Sequence, residues 1–295
     1  MQASRQRSRR ARTDARAPDF IGIGAQRTGT SWIYACLYEH PEICMPRKEI
    51  NFFSRERNWD RGFSWYERVF AECPPGAIAG EFSTSYLTDP TSPARIRRRY
   101  PGVRLIVSLR HPVDRAYSNY LNDIVAGTVP AAMGFREALR SHPEYLESGR
   151  YARYLKNYLD LFPRERLLVS IFDDARRDPR TTIESTYRFL GVDPAFRPSM
   201  LTRPVGIGRV PRFQRLERWL IDGATAMRRR RPLRAAWWTA KRLGIGDRLR
   251  ALNTDRTGAA EGMAPEVRQT LIRELEPEAT TLDGLLNTAL PGWRR

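Results

Sequence analysis

A glycine-containing segment near the N-terminus has the composition of an anion-binding loop. In "DFIGIGAQRTGTSWIY" (19–34), two glycines stand five residues apart between an apolar segment and a helical one, as in the Walker A pattern. Backbone amides at the start of a helix attract an anion. However, Thr30 and Ser31 stand where Walker A has lysine and then serine or threonine, and the cation of this loop is Arg27. The segment therefore predicts anion binding without the lysine of a nucleoside triphosphatase.

A second cation follows the clearest predicted strand. The segment "VRLIVSLR" (103–110) ends in Arg110, where a Walker B strand carries the aspartate that holds Mg²⁺. An arginine at that place repels a metal ion and attracts an anion. Ligands of open parallel sheets bind beyond the C-terminal ends of the strands. Two anion sites at adjacent strand ends indicate a nucleotide with phosphates at two separate positions.

The order of the segments predicts an α/β fold. Short apolar segments alternate with helical ones, which is typical of a parallel β-sheet flanked by helices. The predicted strands are 19–24, 77–82, 103–110 and 165–172. The predicted helices are about 29–38, 112–125, 151–162 and 265–287.

The positive charge is concentrated in two segments. The 295 residues carry a net charge of +18, and residues 1–17 contain six arginines against one aspartate. Residues 203–250 contain fourteen basic residues against three acidic ones. We predict a disordered basic tail over 1–17, followed by a single domain over 18–295, of which 203–258 form a basic, helical, lid-like region.

The apolar segments and the cysteines predict a soluble, cytoplasmic protein. No apolar segment is long enough for a membrane span, and none follows the N-terminal charges as in a signal peptide. Cys36, Cys44 and Cys73 are odd in number and lack paired ligand spacing. We therefore expect free thiols rather than a disulfide framework or a zinc site.

The two anion motifs together resemble those of the sulfotransferases that use 3′-phosphoadenosine 5′-phosphosulfate (PAPS). The segment "GAQRTGTSW" (24–32) resembles their 5′-phosphosulfate loop, and "SLRHPVDRAYSNY" (108–120) resembles their 3′-phosphate motif, R-x-P-x-x-R-x-x-S-x-Y. The resemblance covers most of 18–195 and is to the carbohydrate and tyrosylprotein branches and their bacterial relatives. It implies a P-loop-like sulfotransferase fold, PAPS as donor, 3′-phosphoadenosine 5′-phosphate (PAP) as product, and no metal.

The resemblance also implies roles for single residues. The residues expected to bind the 5′-phosphate through amides and hydroxyls are Thr28, Gly29, Thr30 and Ser31. Arg27 is expected near the bridging oxygen, where its role is electrostatic because arginine is a poor proton donor. Arg110 and Ser118 are expected to bind the 3′-phosphate, and Arg115 to pair within the protein. Trp32 either lies against the adenine or anchors its helix in the core.

Two glutamates are candidates for the base that deprotonates the acceptor hydroxyl. Glu49 lies in "PRKEINFF", which resembles the segment that carries the glutamate base of the carbohydrate branch. The structural alternative is a surface Glu49 paired with Lys48 or Arg47. Glu81, in "GEFSTSYL", is the second candidate. The histidines, which we expect to be surface or structural residues, are His40, His111 and His142.

The late basic region leaves several roles open. Residues 203–220 resemble the basic loop that closes over the 3′-phosphate, with Arg209 or Arg212 as the contact. Residues 226–252 combine arginines with two adjacent tryptophans. They could form a lid over an anionic acceptor, a helix on acidic lipid, a nucleic-acid patch, or a solvated arginine face with the tryptophans packed inward.

Together these features predict a sulfotransferase that moves a sulfuryl group from PAPS to an acceptor hydroxyl. The acceptor is expected to be a glycan or a small molecule, such as a carbohydrate, a glycolipid or a natural product, with a peptide tyrosine as a further alternative. We expect no nucleic-acid partner, and at most weak association with acidic surfaces or membranes. The alternatives are a basic nucleic-acid-binding protein, a divergent P-loop kinase, and a family member that binds nucleotide without transfer.

Overall fold

The computed structural model divides the chain into two compact units, which we call the sheet unit and the helical unit. The residues that the structure describes are 15–54, 57–130, 132–202 and 263–294. The sheet unit comprises 1–112, 150–206 and 277–292. The helical unit comprises 113–149, 207–276 and 293–295. The single domain predicted for 18–295 stays a prediction.

Five parallel strands form the sheet, in the order β2-β3-β1-β4-β5. They are β1 (Phe20–Gly24), β2 (Ile43–Cys44), β3 (Ile78–Phe82), β4 (Arg104–Leu109) and β5 (Leu167–Ile171). The α/β fold with a parallel sheet is therefore confirmed. Four of the strands were predicted. The edge strand β2 was missed because two residues give no periodic pattern.

Along the chain, the α-helices of the described residues alternate with these strands or follow them. They are α1 (Thr30–Glu39), α2 (Phe63–Arg68), α3 (Ser92–Arg99), α4 (Pro112–Ala126), α5 (Phe135–Ser141), α6 (Glu144–Glu147), α7 (Tyr151–Leu159), α8 (Phe172–Arg177), α9 (Pro179–Leu190) and α10 (Pro265–Leu286). The helices predicted near residues 29, 112, 151 and 265 all form, with ends that differ by at most a few residues.

The strands are apolar because their side chains are buried on both faces of the sheet. All five residues of β1 are buried, as expected for a central parallel strand. Two glycines make room for large rings: a Cβ on Gly22 would lie 2.3 Å from the ring of Phe82, and a Cβ on Gly80 would lie 2.3 Å from the ring of Phe20. The sheet can thus hold two phenylalanines at its centre only because these positions lack side chains.

The helical unit has its own core. Apolar residues of α4, at helical spacing, pack with residues of α5, α6 and the first part of α10: Val113, Ala116, Tyr120, Ile124, Phe135, Ala138, Tyr145, Val267, Leu271 and Leu275. Arg115 is buried, and its guanidinium donates to the carbonyl of Tyr145. The prediction that Arg115 pairs within the protein is confirmed.

The prediction of three free thiols is wrong. Cys44, in β2, and Cys73 form a disulfide with a Cα–Cα distance of 5.6 Å, within the range that a disulfide requires. The two cysteines are 29 residues apart, and only the pairing of β2 with β3 brings them together. Cys36 is free and buried, as expected. Disulfides are typical of oxidising compartments, so the cytoplasmic location stays a prediction.

Several expectations concern residues that the structure does not describe. The tail over 1–14, the lid-like region, and both Arg209 and Arg212 lie outside the described residues. Within the described residues, no helix is long and apolar enough to cross a membrane, and no group of His, Cys, Asp and Glu side chains is arranged to hold a metal ion.

Candidate functional site

The predicted anion loop follows β1 and is fixed to the neighbouring strand β4. The N–H of Ala25 donates to the carbonyl of Ser108 at 2.9 Å. The hydroxyl of Ser108 donates to the carbonyl of Thr28 at 2.6 Å, and the hydroxyl of Thr28 donates to the carbonyl of Ala25 at 2.8 Å. The hydroxyl of Thr28 therefore holds the loop in shape. The group of Thr28 that could bind an anion is its backbone N–H.

The loop turns directly into helix α1. Gly29 precedes the helix in the left-handed conformation (φ 82°), and neither a side-chain cap nor an acidic residue in the first turn satisfies the helix start within the described chain. The positive end of a helix dipole favours an anion at that point. Thr30 is buried, whereas Ser31 is exposed. Among the predicted loop hydroxyls, that of Ser31 is thus the accessible one.

One aromatic ring connects the loop with Arg110. Phe172, the first residue of α8, lies so close to Gly29 that a Cβ there would approach its ring to 2.7 Å. The guanidinium of Arg110 lies 4.8 Å from the centre of the same ring. The ends of β1, β4 and β5 therefore meet at Phe172. This residue was not predicted from the sequence, because a phenylalanine that follows an apolar strand is usually expected to be part of the core.

The other predicted ligand of the 3′-phosphate, Ser118, belongs to the helical unit. It lies on α4 and is half-buried. Its role in phosphate binding stays a prediction. Trp32 packs against the core of the sheet unit, and its indole N–H donates to the carbonyl of Met200 at 3.1 Å. Of the two roles considered for Trp32, the contacts support the core anchor.

Glu49 is half-buried beyond the end of β3, in a constrained backbone. Its φ is 56°, in the left-handed region that is uncommon for residues other than glycine. Its N–H donates to the carbonyl of Phe82 at 2.8 Å. Its carboxylate accepts from the N–H of Thr84 at 3.1 Å and from the hydroxyl of Thr84 at 3.2 Å. The carboxylate is thus held by Thr84 rather than by Lys48 or Arg47.

The segment around Glu49 and the anion loop are in contact through Thr84. A Cβ on Gly24 would lie 3.1 Å from the carbonyl oxygen of Thr84, so the loop begins directly beside the residue that holds Glu49. Arg27, Glu49 and Asn51 all have positive φ, at 68°, 56° and 52°. Such conformations cost free energy and are concentrated at functional sites. Their occurrence beside two adjacent strand ends supports a site here.

Glu81, the second candidate base, lies inside the protein. It is fully buried and accepts hydrogen bonds from the hydroxyls of Tyr66 at 3.0 Å, Tyr86 at 2.7 Å and Ser83 at 2.5 Å. Burial raises the pKa of Glu81 to about 7, and these three donors oppose the rise. A carboxyl group closed off in this way organises the core and cannot reach an acceptor.

Two of the histidines make contacts that agree with the structural roles expected of them, and the role of His111 stays a prediction. His40 is buried, with Nε2 3.0 Å from the carbonyl oxygen of Asp193. His142 lies on the surface with Nδ1 3.0 Å from the carboxylate of Glu144, and His111 is buried.

Lys48 was not predicted as a site residue. Its ammonium group donates to the hydroxyl of Ser31 at 2.7 Å, although 17 residues separate the two in the sequence. No local pattern could have indicated this contact, since it depends on how the segment after β2 returns to α1.

Comparison with known proteins identifies the family. The model of the sulfotransferase domain family matches residues 17–201. This chain belongs to the sulfotransferase domain family. The match includes the five-stranded parallel sheet, the loop after β1 and Arg110 after β4.

Individual relatives agree with this assignment. The chain is 32% identical over 208 residues to the human bifunctional heparan sulfate N-deacetylase/N-sulfotransferase 3, covering 63% of this chain and 23% of that protein. It is 29% identical over 185 residues to the mouse heparan sulfate glucosamine 3-O-sulfotransferase 6, covering 60% of this chain and 53% of that protein. The chain therefore spans about a quarter and about half of these two relatives.

A solved structure resembles nearly the whole chain. The sulfotransferase from Alicyclobacillus acidocaldarius has a TM-score of 0.69 and 26% identity, and the alignment covers 95% of this chain and 99% of that one. The chain thus belongs to the sulfotransferase domain family and shares the fold of this structure.

Proposed function

We propose that this sulfotransferase uses PAPS as its donor and transfers the sulfuryl group to a hydroxyl of a glycan or small molecule. The observation that carries the proposal is the arrangement around Phe172. The ring contacts Gly29 of the loop on one side and lies beneath Arg110 on another. Two anion-binding elements are therefore held near one another beyond β1 and β4, as a nucleotide with phosphates at two positions requires.

The residues present fit such a nucleotide. Among the described residues, no side chain caps the start of α1, which offers its backbone amides, and Gly29 could not carry a side chain without displacing Phe172. Arg27 and Arg110 contribute positive charge beside the loop and after β4. Amides, small residues and guanidinium groups bind phosphate and sulfate oxygens well. The role of Ser118 in 3′-phosphate binding is proposed from its resemblance to the family's 3′-phosphate motif alone.

Glu49 is proposed as the base. It accepts the proton of the acceptor hydroxyl while the acceptor oxygen forms its bond to sulfur. The bond between sulfur and the bridging oxygen breaks, and the electron pair leaves with PAP. Arg27 stabilises the negative charge that develops on the leaving phosphate. The contacts from Thr84 keep the Glu49 carboxylate in one position, which favours proton transfer in a fixed geometry.

A glycan acceptor is supported by the names of the relatives. Both curated relatives cited above are named for sulfotransfer to heparan sulfate. Because the chain spans only part of each, the type of glycan is left open, and a small-molecule hydroxyl remains an acceptor to test. The cytoplasmic location and weak association with acidic surfaces are proposed on the basis of sequence alone.

Calorimetric titration with PAP in metal-free buffer tests the donor. Wild-type protein should bind PAP, and Arg110→Ala should bind it about 10- to 100-fold more weakly, as expected for the loss of a charge-assisted hydrogen bond. Arg177→Ala is the matched control, because Arg177 is an exposed arginine paired with Asp174. Absence of PAP binding, or equal affinity in wild type and Arg110→Ala, would overturn the proposal. Salt-sensitive oligonucleotide binding that survives Arg110→Ala would instead support the nucleic-acid alternative.

A further inference from the structure

The ammonium group of Lys48 lies at the predicted anion site. It donates to the hydroxyl of Ser31 at 2.7 Å, and Ser31 is the second residue of α1. Lys48 itself is half-buried in the segment between β2 and β3. A lysine that is distant in sequence therefore reaches the loop whose own sequence lacks one.

The position of Lys48 is fixed from several sides. Cys44, four residues before it, is joined to Cys73, and Glu49, directly after it, is bonded through its N–H to β3. The ammonium lies 5.6 Å from the centre of the Tyr34 ring, and Tyr34 is on the same face of α1 as Ser31, three residues later. Lys48 is thus held at this place, unlike a surface lysine that samples many rotamers.

The electrostatic surroundings of Lys48 are unfavourable for a cation alone. It lies at the first turn of α1, where the helix dipole disfavours positive charge. Its hydrogen-bond acceptor is a neutral hydroxyl, and no carboxylate forms an ion pair with it within the part of the chain that the structure describes. Burial lowers the pKa of Lys48, and the nearby Glu49 only partly opposes this. An anion at the helix start would relieve both effects.

We propose that Lys48 is a ligand of the 5′ end of the donor nucleotide and supplies the ammonium that the loop after β1 lacks. This inference rests on the proposed PAPS-dependent function. An ammonium group has three donors. One is occupied by Ser31, so the others can reach oxygens of an anion held by the amides of α1. Because Lys48 directly precedes Glu49, the same segment then contacts the donor and carries the base.

The simplest competing explanation is that Lys48 has only a structural role and fixes its segment to α1. Such a contact would have the same effect on every ligand and on the protein without a ligand. A ligand of the 5′-phosphate should affect only nucleotides that carry a phosphate at that end. The two roles therefore differ in how Lys48 substitutions depend on the ligand.

The first experiment compares two ligands. Lys48→Met should weaken PAP binding about 10- to 100-fold, since a charge-assisted bond is lost, and should leave the affinity for adenosine 3′-phosphate unchanged. Lys48→Arg, which keeps the charge, should recover most of the PAP affinity. Lys156→Met is the matched control, because Lys156 is an exposed lysine paired with Asp160 at 2.8 Å. If Lys48 has only a structural role, Lys48→Met should instead weaken the binding of both ligands equally or of neither.

The second experiment uses unmodified protein, so that it does not depend on a variant that folds. The chain contains three lysines, Lys48, Lys156 and Lys241, which mass spectrometry can resolve after brief acetylation. Saturating PAP should slow acetylation of Lys48 several-fold and leave Lys156 unchanged. One outcome is that calorimetry shows PAP binding to wild-type protein and to Lys48→Met with equal affinity, while PAP fails to slow acetylation of Lys48. In that case the inference fails and the proposed function stands. If wild-type protein does not bind PAP, both fail.

Discussion

Two glutamates at one end of the sheet have opposite surroundings. Glu49 is half-buried and has a left-handed backbone, and within the described residues its carboxylate accepts hydrogen bonds from Thr84 only. Glu81, on β3, is fully buried and accepts from three hydroxyls. The same side chain is therefore suited to accept a proton from a ligand in one place and to organise a core in the other. Access and hydrogen-bond partners, rather than residue type, separate the two roles.

The largest effect is expected at Glu49. Glu49→Gln keeps the shape but cannot take up the proton, so kcat should fall about 100- to 10,000-fold, while the dissociation constant of PAP changes little. Turnover would be measured as PAP formation from PAPS with glycan, glycolipid and phenol acceptors. Glu42→Gln, at an exposed position, is the control. A Glu49→Gln variant that keeps wild-type turnover would remove Glu49 from the chemistry.

A smaller effect, on stability, is expected at Glu81. Glu81→Ala leaves the buried hydroxyls of Tyr66, Tyr86 and Ser83 without their shared acceptor, so the free energy of unfolding should fall by about 3 kcal/mol. Urea denaturation measures this difference. Glu72→Ala, at an exposed position, should change it by less than about 0.5 kcal/mol. If Glu81→Ala is as stable as wild type, the buried network is not what holds this part of the sheet.

The pH dependence of stability should also report on Glu81. Its pKa is raised from 4.5 to about 7 in the folded protein, so between these values the folded state binds more protons than the unfolded state. Stability should therefore fall as the pH rises through this window, by up to about 3 kcal/mol. Glu81→Gln does not titrate and should lack this decline. Parallel profiles for wild type and Glu81→Gln from pH 4.5 to 8 would contradict the raised pKa.

The smallest effect is expected at Thr84. Thr84→Val keeps the backbone N–H but removes the hydroxyl that donates to Glu49. Losing one hydrogen bond that positions the base should lower kcat about 3- to 10-fold, with stability within about 1 kcal/mol of wild type. Steady-state kinetics and urea denaturation would be compared with Thr281→Val, which changes an exposed threonine of α10. An unchanged kcat would mean that the Thr84 hydroxyl is not needed and that the N–H of Thr84 and the backbone of Glu49 are enough to position the base.

The sequence predicted those parts of the site that are continuous in the chain. The loop after β1 and Arg110 after β4 were predicted because each follows an apolar strand directly, and a strand end in a parallel sheet has a known place. The α/β fold was predicted for the same reason: strands and helices alternate with clear periodicity. Glu49 was proposed from its resemblance to a segment of known role, and its contact with Thr84 was not foreseen.

The contacts that could not be predicted all join distant residues. Lys48 and Ser31 are 17 residues apart, and Glu49 and Thr84 are 35 apart. Cys44 and Cys73 form a disulfide, and the pairing of a two-residue edge strand places Cys44 beside its partner. The role of Phe172 depends on β5 lying beside β4. Such contacts follow from the packing of the sheet, and no periodicity or local motif encodes them.

The most direct test of the proposed donor site is a crystal structure of the protein with PAP. We predict that the 5′-phosphate lies on the amides of residues 28–31 and within hydrogen-bond distance of Lys48, and that the 3′-phosphate contacts Arg110. PAP bound at another surface, or bound with its 3′-phosphate away from Arg110, would contradict the two-phosphate site on which the proposed function depends.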